Sequence, residues 1–155
     1  MIKPNYIIIP LITILVSLIG SFVTSRGMNW YKTINLPEIT PPGQLIGTVW
    51  IILFILATIS ALIVWNTAQK TNNFKLIIAL FVINAFLNVL WSSIFFGAHW
   101  IGPAIIEAGL LGLSVILLII YIWPVSKLAA GLLIPYAGWV AFATYLTYTI
   151  WSLNK

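Results

Sequence analysis

The chain has 155 residues, of which 62% are hydrophobic and 6% charged, with seven Lys or Arg against two Asp or Glu. A water-soluble domain cannot cover its surface with so few charges, so the composition excludes a soluble globular protein and indicates an integral membrane protein. The sequence contains no cysteine, which excludes disulfides and thiolate metal sites.

Five long apolar stretches follow one another, each near the roughly 20 residues that a membrane-spanning helix needs. They predict an all-α fold, one five-helix transmembrane bundle over residues 1–155. The first stretch exceeds the apolar core of a signal peptide and lacks an Ala-x-Ala cleavage pattern, so we interpret it as a span. The predicted spans are 6–24, 45–66, 76–96, 103–122 and 129–153.

The first connection, residues 25–44, is the longest and is too apolar for a plain linker. It contains Trp30 and Tyr31, and three prolines stiffen its second half. Such a segment either folds back over the bundle as a lid or lies at headgroup depth, where Trp and Tyr are common. Composition alone leaves both alternatives open.

Three of the later spans carry aromatic and neutral polar residues on one helical face. Asparagine is costly in lipid unless it meets a partner, so we expect these faces to point inward. They form either a pocket for a flat, mostly apolar ligand or an ordinary helix–helix core, and the residues alone favour the core. The residues are Trp50 and Phe54, then Asn84, Asn88 and Trp91, then Trp139, Phe142, Ala143 and Leu146.

The fourth span carries small residues at every fourth position, Ala104, Ala108 and Gly112. Such a stripe lets helix backbones approach closely, either inside the bundle or across a dimer seam, and we expect the seam. Glu107 lies in the same span, where an acid is either functional, or protonated and bonded to a neighbouring helix, or reaching toward the interface, and a structural role is favoured.

Pro135 and His99 are the remaining local signals. Pro135 cannot donate to the carbonyl of Gly131, so it predicts a bend in the fifth span. His99 is the only histidine, and it is either an axial ligand of a metalloporphyrin or an ordinary interfacial loop residue. The chain offers no residue set for acid–base or nucleophilic catalysis, and we expect no metal site.

The cations lie at span ends, which is typical of headgroup anchoring rather than of a nucleic-acid patch. Five spans place Lys3, Lys70, Lys75 and Lys127 on one side of the membrane. They place Arg26, Lys32 and Lys155 on the other side, together with Glu38.

Taken together, these segments resemble the TspO/translocator protein family, also called tryptophan-rich sensory or peripheral benzodiazepine receptor proteins. The resemblance covers nearly the whole chain. It lies in Trp30-Tyr31, Pro37, Pro41-Pro42 and Val49-Trp50, in Asn88-x-x-Trp91, in Glu107, and in Ala129-Ala130 through Pro135-Tyr136 to Trp139.

The resemblance implies a five-helix membrane protein, often a homodimer, with a pocket near one membrane face that the first loop closes. It implies protoporphyrin IX as ligand or substrate, or isoquinoline carboxamide and benzodiazepine ligands, without a required cofactor. The ligand-binding residues would be Trp30, Tyr31 and the three inward faces. Trp50 and Trp139 would be catalytic in a light-dependent oxidative degradation of the porphyrin, which some bacterial members are reported to perform.

The alternative is a non-enzymatic receptor or transporter for tetrapyrroles or other small hydrophobic ligands in a stress response. Ser152 stands where animal members carry the Arg of a proposed cholesterol motif, so we expect no cholesterol recognition. These features favour the bacterial plasma membrane as the location.

Overall fold

The computed structural model describes residues 3–155, which are mostly helical and contain no strand. Five helical units are long and apolar enough to cross a membrane, as the sequence predicts, and the protein is a multi-pass membrane protein. The elements are α1 Asn5–Tyr31, α2 Gly43–Thr67, α3 Phe74–Ser92 with a π-helical turn Ser93–Gly97, α4 Ile101–Ile122, α5 Lys127–Gly131 and α6 Ile134–Leu153.

The first helix is longer than the predicted span and ends at Tyr31 rather than at residue 24. Trp30 and Tyr31 therefore lie in its last turn, and the connection to α2 is reduced to residues 32–42. Residues 25–31 contain no proline, and Gly27 within them is buried against the π-helical turn. This packing continues the helix past the apolar stretch.

The spans form a ring in which consecutive spans run antiparallel, while α1 and α3 are parallel neighbours. Helix α1 packs on α2 and α3, α3 packs on α4, and α4 packs on α6. The ring closes where α2 meets α5, with Ser60 Oγ donating to the carbonyl oxygen of Ala129 at 2.8 Å. Helix α2 packs much less closely along α6. Across this gap the Trp50 ring of α2 meets the Tyr136 ring of α6, with centroids 6.1 Å apart.

The fifth span is interrupted just before Pro135, where the sequence predicts a bend. The fifth span divides into α5, which ends at Gly131, and α6, which begins at Ile134 with Pro135 in its first turn. Leu133 N donates to the carbonyl oxygen of Ala130 at 3.0 Å, a tighter pattern than in an α-helix.

The small-residue stripe of α4 faces the inside of the bundle, so the expectation of a dimer seam there was wrong. Ala104 and Ala108 are buried within the single chain. A Cβ at Gly112 would lie 3.4 Å from Cγ1 of Val140, which places α6 directly against this stripe. Homodimerisation stays a prediction and requires another surface.

Helix α1 crosses the π-helical turn with almost no space between them. A Cβ added to Gly27 would collide with the carbonyl oxygen and the Cβ of Phe96. Because the obstacle includes backbone, a flexible side chain cannot simply move away. Gly27 therefore sets the distance between α1 and the end of α3.

We expect Gly27→Ala to lower the free energy of unfolding by about 1–3 kcal/mol, as overpacking of a tight contact does. Gly20→Ala, in the same helix, is the control, because its Cβ would lie an ordinary 3.6 Å from Ser92 Oγ. Denaturation by SDS or heat measures both variants. Equal stability of the two proteins would contradict this account of the contact.

Candidate functional site

Four buried polar side chains from α3, α4 and α6 meet in the middle of the bundle. Asn84 Nδ2 donates to Ser114 Oγ at 2.9 Å, and the Tyr136 hydroxyl donates to Asn84 Oδ1 at 3.0 Å. Asn88 Nδ2 donates to the Tyr136 hydroxyl and, at 3.1 Å, to the backbone carbonyl of Asn84. The prediction that Asn84 and Asn88 point inward is confirmed, since both are more than nine-tenths buried.

Two members of this network, Ser114 and Tyr136, were missed as site residues. Ser114 is a polar residue in an apolar span, two helical turns after Glu107 and therefore on the same face. Tyr136 is 2% exposed and lies beside the proline at which the fifth span is interrupted. Both signals were available in the sequence, but no pattern on one helix identifies the helix that it meets.

The two tryptophans predicted to be catalytic pack against the same buried core. Trp50 lies beside Phe54, with ring centroids 5.7 Å apart, and meets the Tyr136 ring nearly perpendicularly at 6.1 Å. Trp139 contacts Phe142, with centroids 5.4 Å apart. The core that both indoles cover includes Tyr136. Within the described residues no ring contact joins Trp50 directly to Trp139.

A second aromatic cluster lies at the end of the bundle where α1 and α3 finish. Phe95, only 1% exposed, is its centre. The Trp91 ring stacks on Phe95 with centroids 5.1 Å apart, and Trp30 and Tyr31 approach Phe95 at 5.6 and 6.1 Å. Leu146 and Phe142 pack against the same group. Most of the predicted ligand-binding residues thus belong to one of two adjoining aromatic groups.

His99 belongs to the outer surface of this second cluster. Its imidazole stacks on Trp30 with ring centroids 4.3 Å apart and an interplanar angle of 15°. Its backbone has a φ of 61°, in the left-handed region. Residues 3–155 contain no group of three or more His, Cys, Asp or Glu that could hold a metal ion.

The connection between α1 and α2 is fastened to the end of α6. Asn35 N donates to Asn154 Oδ1 at 2.9 Å, and Asn154 Nδ2 donates to the carbonyl oxygen of Asn35 at 2.8 Å. Asn154 Nδ2 also donates to the carbonyl oxygen of Ile150 at 2.7 Å, so the same side chain caps a free carbonyl at the end of α6. Residues 32–42 are therefore held at the end of the bundle near the second aromatic cluster, as a lid requires.

A cavity of about 460 Å³ lies between α1, α2 and α3. Phe54, Asn84 and Asn88 line it, and Tyr136 lies in its wall. A shallower groove of about 340 Å³ between α1 and α2 also touches Phe54. These two cavities do not include the other predicted site residues, which are Trp30, Tyr31, Trp50, Trp91, Trp139, Phe142, Ala143 and Leu146.

Several buried polar atoms near the aromatic groups lack hydrogen-bond partners among the described residues. They are the indole nitrogens of Trp91 and Trp139 and both carboxyl oxygens of Glu107. The bond between Asn84 and Ser114 sets the register of α3 against antiparallel α4. Trp91 lies seven residues, or two turns, after Asn84 in α3, and Glu107 lies two turns before Ser114 in α4. Because the two helices are antiparallel, Trp91 and Glu107 lie at the same depth in the bundle. Unpaired donors and acceptors are therefore present in the half of the bundle that contains Trp50, Trp139 and the cluster around Phe95, which we call the aromatic half.

Comparison with known proteins gives consistent matches along the chain. A sequence model of the TspO/MBR family matches residues 7–152. The chain is 35% identical to Tryptophan-rich protein TspO of Bacillus cereus over 98% of both chains. It is 38% identical to the protein of the same name from Chlorobaculum tepidum, over 87% of this chain and 86% of that one. It is 33% identical to Translocator protein of Homo sapiens, over 88% and 82%.

Tyr136→Phe removes the hydroxyl that joins Asn84 to Asn88, and we expect it to lower the free energy of unfolding by about 1–2 kcal/mol. The reason is that two buried amides each lose a partner that lipid cannot replace. Tyr145→Phe is the control, because Tyr145 is exposed and outside the network. Thermal unfolding in one detergent compares the variants. A Tyr136→Phe protein as stable as the Tyr145→Phe protein would contradict the network's role.

Asn154→Ala removes the side chain that holds Asn35, and we expect several-fold faster hydrogen exchange of backbone amides in residues 33–40. The bundle helices should keep their protection, because the bond lies outside them. Asn66→Ala is the matched control, since Asn66 Nδ2 donates only to Leu62 O in its own helix. Mass-spectrometric exchange measures both, and unchanged exchange in Asn154→Ala would show that other contacts hold the loop.

Proposed function

This chain belongs to the TspO/MBR family, and from that premise we propose that it binds a tetrapyrrole such as protoporphyrin IX among the tryptophans of its aromatic half. We further propose that the bound pigment is degraded oxidatively in light. Isoquinoline carboxamides and benzodiazepines would compete for the same site, because they are also flat, mostly apolar molecules with a polar edge. The bacterial plasma membrane is the proposed location.

The two aromatic groups support this proposal through their shape and chemistry. Trp50 and Trp139 both pack against the buried core that contains Tyr136, and Trp30 and Tyr31 pack against the neighbouring cluster around Phe95. Indole and phenyl faces stack favourably on a flat conjugated ring. Residues 32–42, fastened at Asn35, lie where a lid over this region would be needed.

The observation that carries the proposal is the pair of buried indole N–H groups without partners, on Trp91 and Trp139. A buried donor without a partner is rare in a folded protein and calls for a specific explanation. A tetrapyrrole carries carboxylate side chains, which are strong acceptors and would give these donors the bonds that they lack. An entirely apolar ligand would leave both groups unpaired.

Light-driven degradation needs an electron donor and an oxidant. Indole is readily oxidised, far more so than phenyl. We propose that the excited porphyrin takes one electron from Trp50 or Trp139, which leaves an indole radical cation and a porphyrin radical anion, and that dissolved dioxygen is the oxidant consumed in the later ring opening. The protein contributes position and electron supply, while the pigment absorbs the light.

A second candidate function is that of a receptor or carrier without chemistry. The cavity beside α1 has membrane-exposed residues in its wall, so a hydrophobic ligand can reach the interior from the bilayer. The human relative is named Translocator protein, and this name also favours a carrier. In a stress response, such a protein would sequester or move tetrapyrroles and leave them intact.

Trp50→Phe and Trp139→Phe distinguish the two candidates. We expect porphyrin affinity to stay within about tenfold in Trp50→Phe, because a phenyl ring retains most of a stacking energy of about 0.5–1.5 kcal/mol. In Trp139→Phe we expect a loss of about tenfold or more, because this variant also removes an indole donor that would bond a porphyrin carboxylate. We expect light-driven product formation by the bound complex to fall by about tenfold or more, equivalent to about 1.4 kcal/mol in the barrier. The measurements are fluorescence titration with protoporphyrin IX and absorbance of the product under constant illumination.

Trp123→Phe is the control, because Trp123 is exposed at the opposite end of the bundle. Product formation by the bound complex that survives when both substitutions are combined in one chain would reject the electron-donor role and leave the receptor or carrier. Absence of saturable porphyrin binding to the unaltered protein would reject both candidates.

A further inference from the structure

The cavity between α1, α2 and α3 extends from the central polar network into the half of the bundle that contains no proposed porphyrin residue. It reaches Asn5, the first residue of α1, and Trp65, near the end of α2. This end lies far from the aromatic clusters, because α1 carries Trp30 and Tyr31 at its other end. The proposed porphyrin function therefore does not account for this part of the cavity.

The walls of this cavity suit a hydrocarbon chain that enters from the bilayer. Ile8, Ile12 and Val82 line it and are about half exposed or more on the membrane-facing surface. Ala57 and Ala61 line its inner side, where small side chains leave the space open. Because the open side faces lipid, its natural occupant is a bilayer component.

Asn5 supplies a polar contact at the membrane-surface end of the cavity. It is 7% exposed, and its Nδ2 has no hydrogen-bond partner among the described residues. The first turn of a spanning helix lies near the depth of lipid carboxyl and ester groups. An acceptor oxygen at this depth would give the amide its missing partner.

The charges at this end are of one sign. Lys3 lies two residues before Asn5, and Lys75 is the second residue of α3; both are exposed. The chain has only two acidic residues: Glu38 lies in the connection 32–42, and Glu107 lies inside α4. Cations without nearby acids attract a negatively charged headgroup by about 1 kcal/mol each at a membrane surface.

We propose that this cavity is a binding site for one acyl chain of an anionic amphiphile. The chain lies between α1, α2 and α3, its carboxyl or ester oxygen accepts from Asn5 Nδ2, and its negative head lies near Lys3 and Lys75. A free fatty acid and an anionic phospholipid share this chemistry. The site is separate from the proposed porphyrin site and meets it at the central network and at Phe54.

The test uses the full chain in phosphatidylcholine nanodiscs without porphyrin. The probes are palmitic acid, phosphatidylglycerol and phosphatidylcholine, each with a diazirine on the acyl chain. After irradiation, peptide mass spectrometry locates the adducts. Adducts on outward-facing residues such as Ile106 and Ile116 report ordinary surrounding lipid in the same sample. We expect additional adducts along the cavity walls, on residues 8–16, 57–65 and 78–85.

Ala61→Phe fills the cavity, and we expect a several-fold loss of cavity adducts with unchanged adducts on outward-facing residues. Ala79→Phe is the matched control, because Ala79 is exposed on α3 and lies outside the cavity wall. Asn5→Leu, which keeps the branched shape but removes the donor, should give a smaller loss and serves if Ala61→Phe does not fold. The proposal would be overturned if Ala61→Phe and Ala79→Phe gave equal cavity labelling. If Ala61→Phe does not fold, equal cavity labelling in Asn5→Leu and the unaltered protein would overturn it instead.

Lys3→Gln combined with Lys75→Gln tests the charge of the ligand. We expect it to abolish the preference for the two anionic probes over phosphatidylcholine, whereas Lys32→Gln with Lys155→Gln, at the other end, should not. Equal cavity labelling by all three probes in the unaltered protein would overturn the anionic assignment. Labelling by palmitic acid alone would identify a free fatty acid, and labelling by both anionic probes would identify any anionic chain. Porphyrin titration of the same variants is independent, so either proposal can fail alone.

Discussion

The hydrogen-bond network of Asn84, Asn88, Tyr136 and Ser114 is the constraint on which the arrangement of α3, α4 and α6 depends. Apolar helices gain little by meeting one another in lipid, because lipid is as apolar as their side chains. Polar side chains differ, since hydrocarbon offers them no partner. Three helices can satisfy these groups together only at one rotation and one register, and that register also places Trp91 level with Glu107.

Small residues make the closest contacts between helices of the ring. Gly27 and the stripe of Ala104, Ala108 and Gly112 let α1, α4 and their neighbours approach closely. Helix α2 is joined to the fifth span mainly at Ser60, where that span is interrupted before continuing as α6. Trp50 and Trp139 pack against the core around Tyr136, which follows this interruption. The small residues thus set how closely α1 approaches the end of α3 and how closely α4 approaches α6.

The two halves of the molecule differ in what they offer a ligand. One half has large rings and unpaired indole donors, which suit a flat pigment with acidic side chains. The other half has an apolar cavity that faces lipid and ends at Asn5 and two lysines, which suits a chain with an anionic head. Tyr136 lies between them, in the wall of the cavity and against Trp50. Its hydrogen bonds to Asn84 and Asn88 fix the position of α6 against α3, and so the position of one region relative to the other.

The sequence by itself determined the five spans, the interruption at Pro135 and the inward direction of Asn84 and Asn88, because hydropathy, a missing backbone donor and the cost of an amide in lipid act locally. Only the tertiary structure decided that α1 continues to Tyr31, that the small residues of α4 meet α6 rather than a second chain, and that Asn35 bonds Asn154. These outcomes depend on the distance and rotation between helices. A pattern along one helix specifies a face, whereas the partner of that face is set by all five helices packing together.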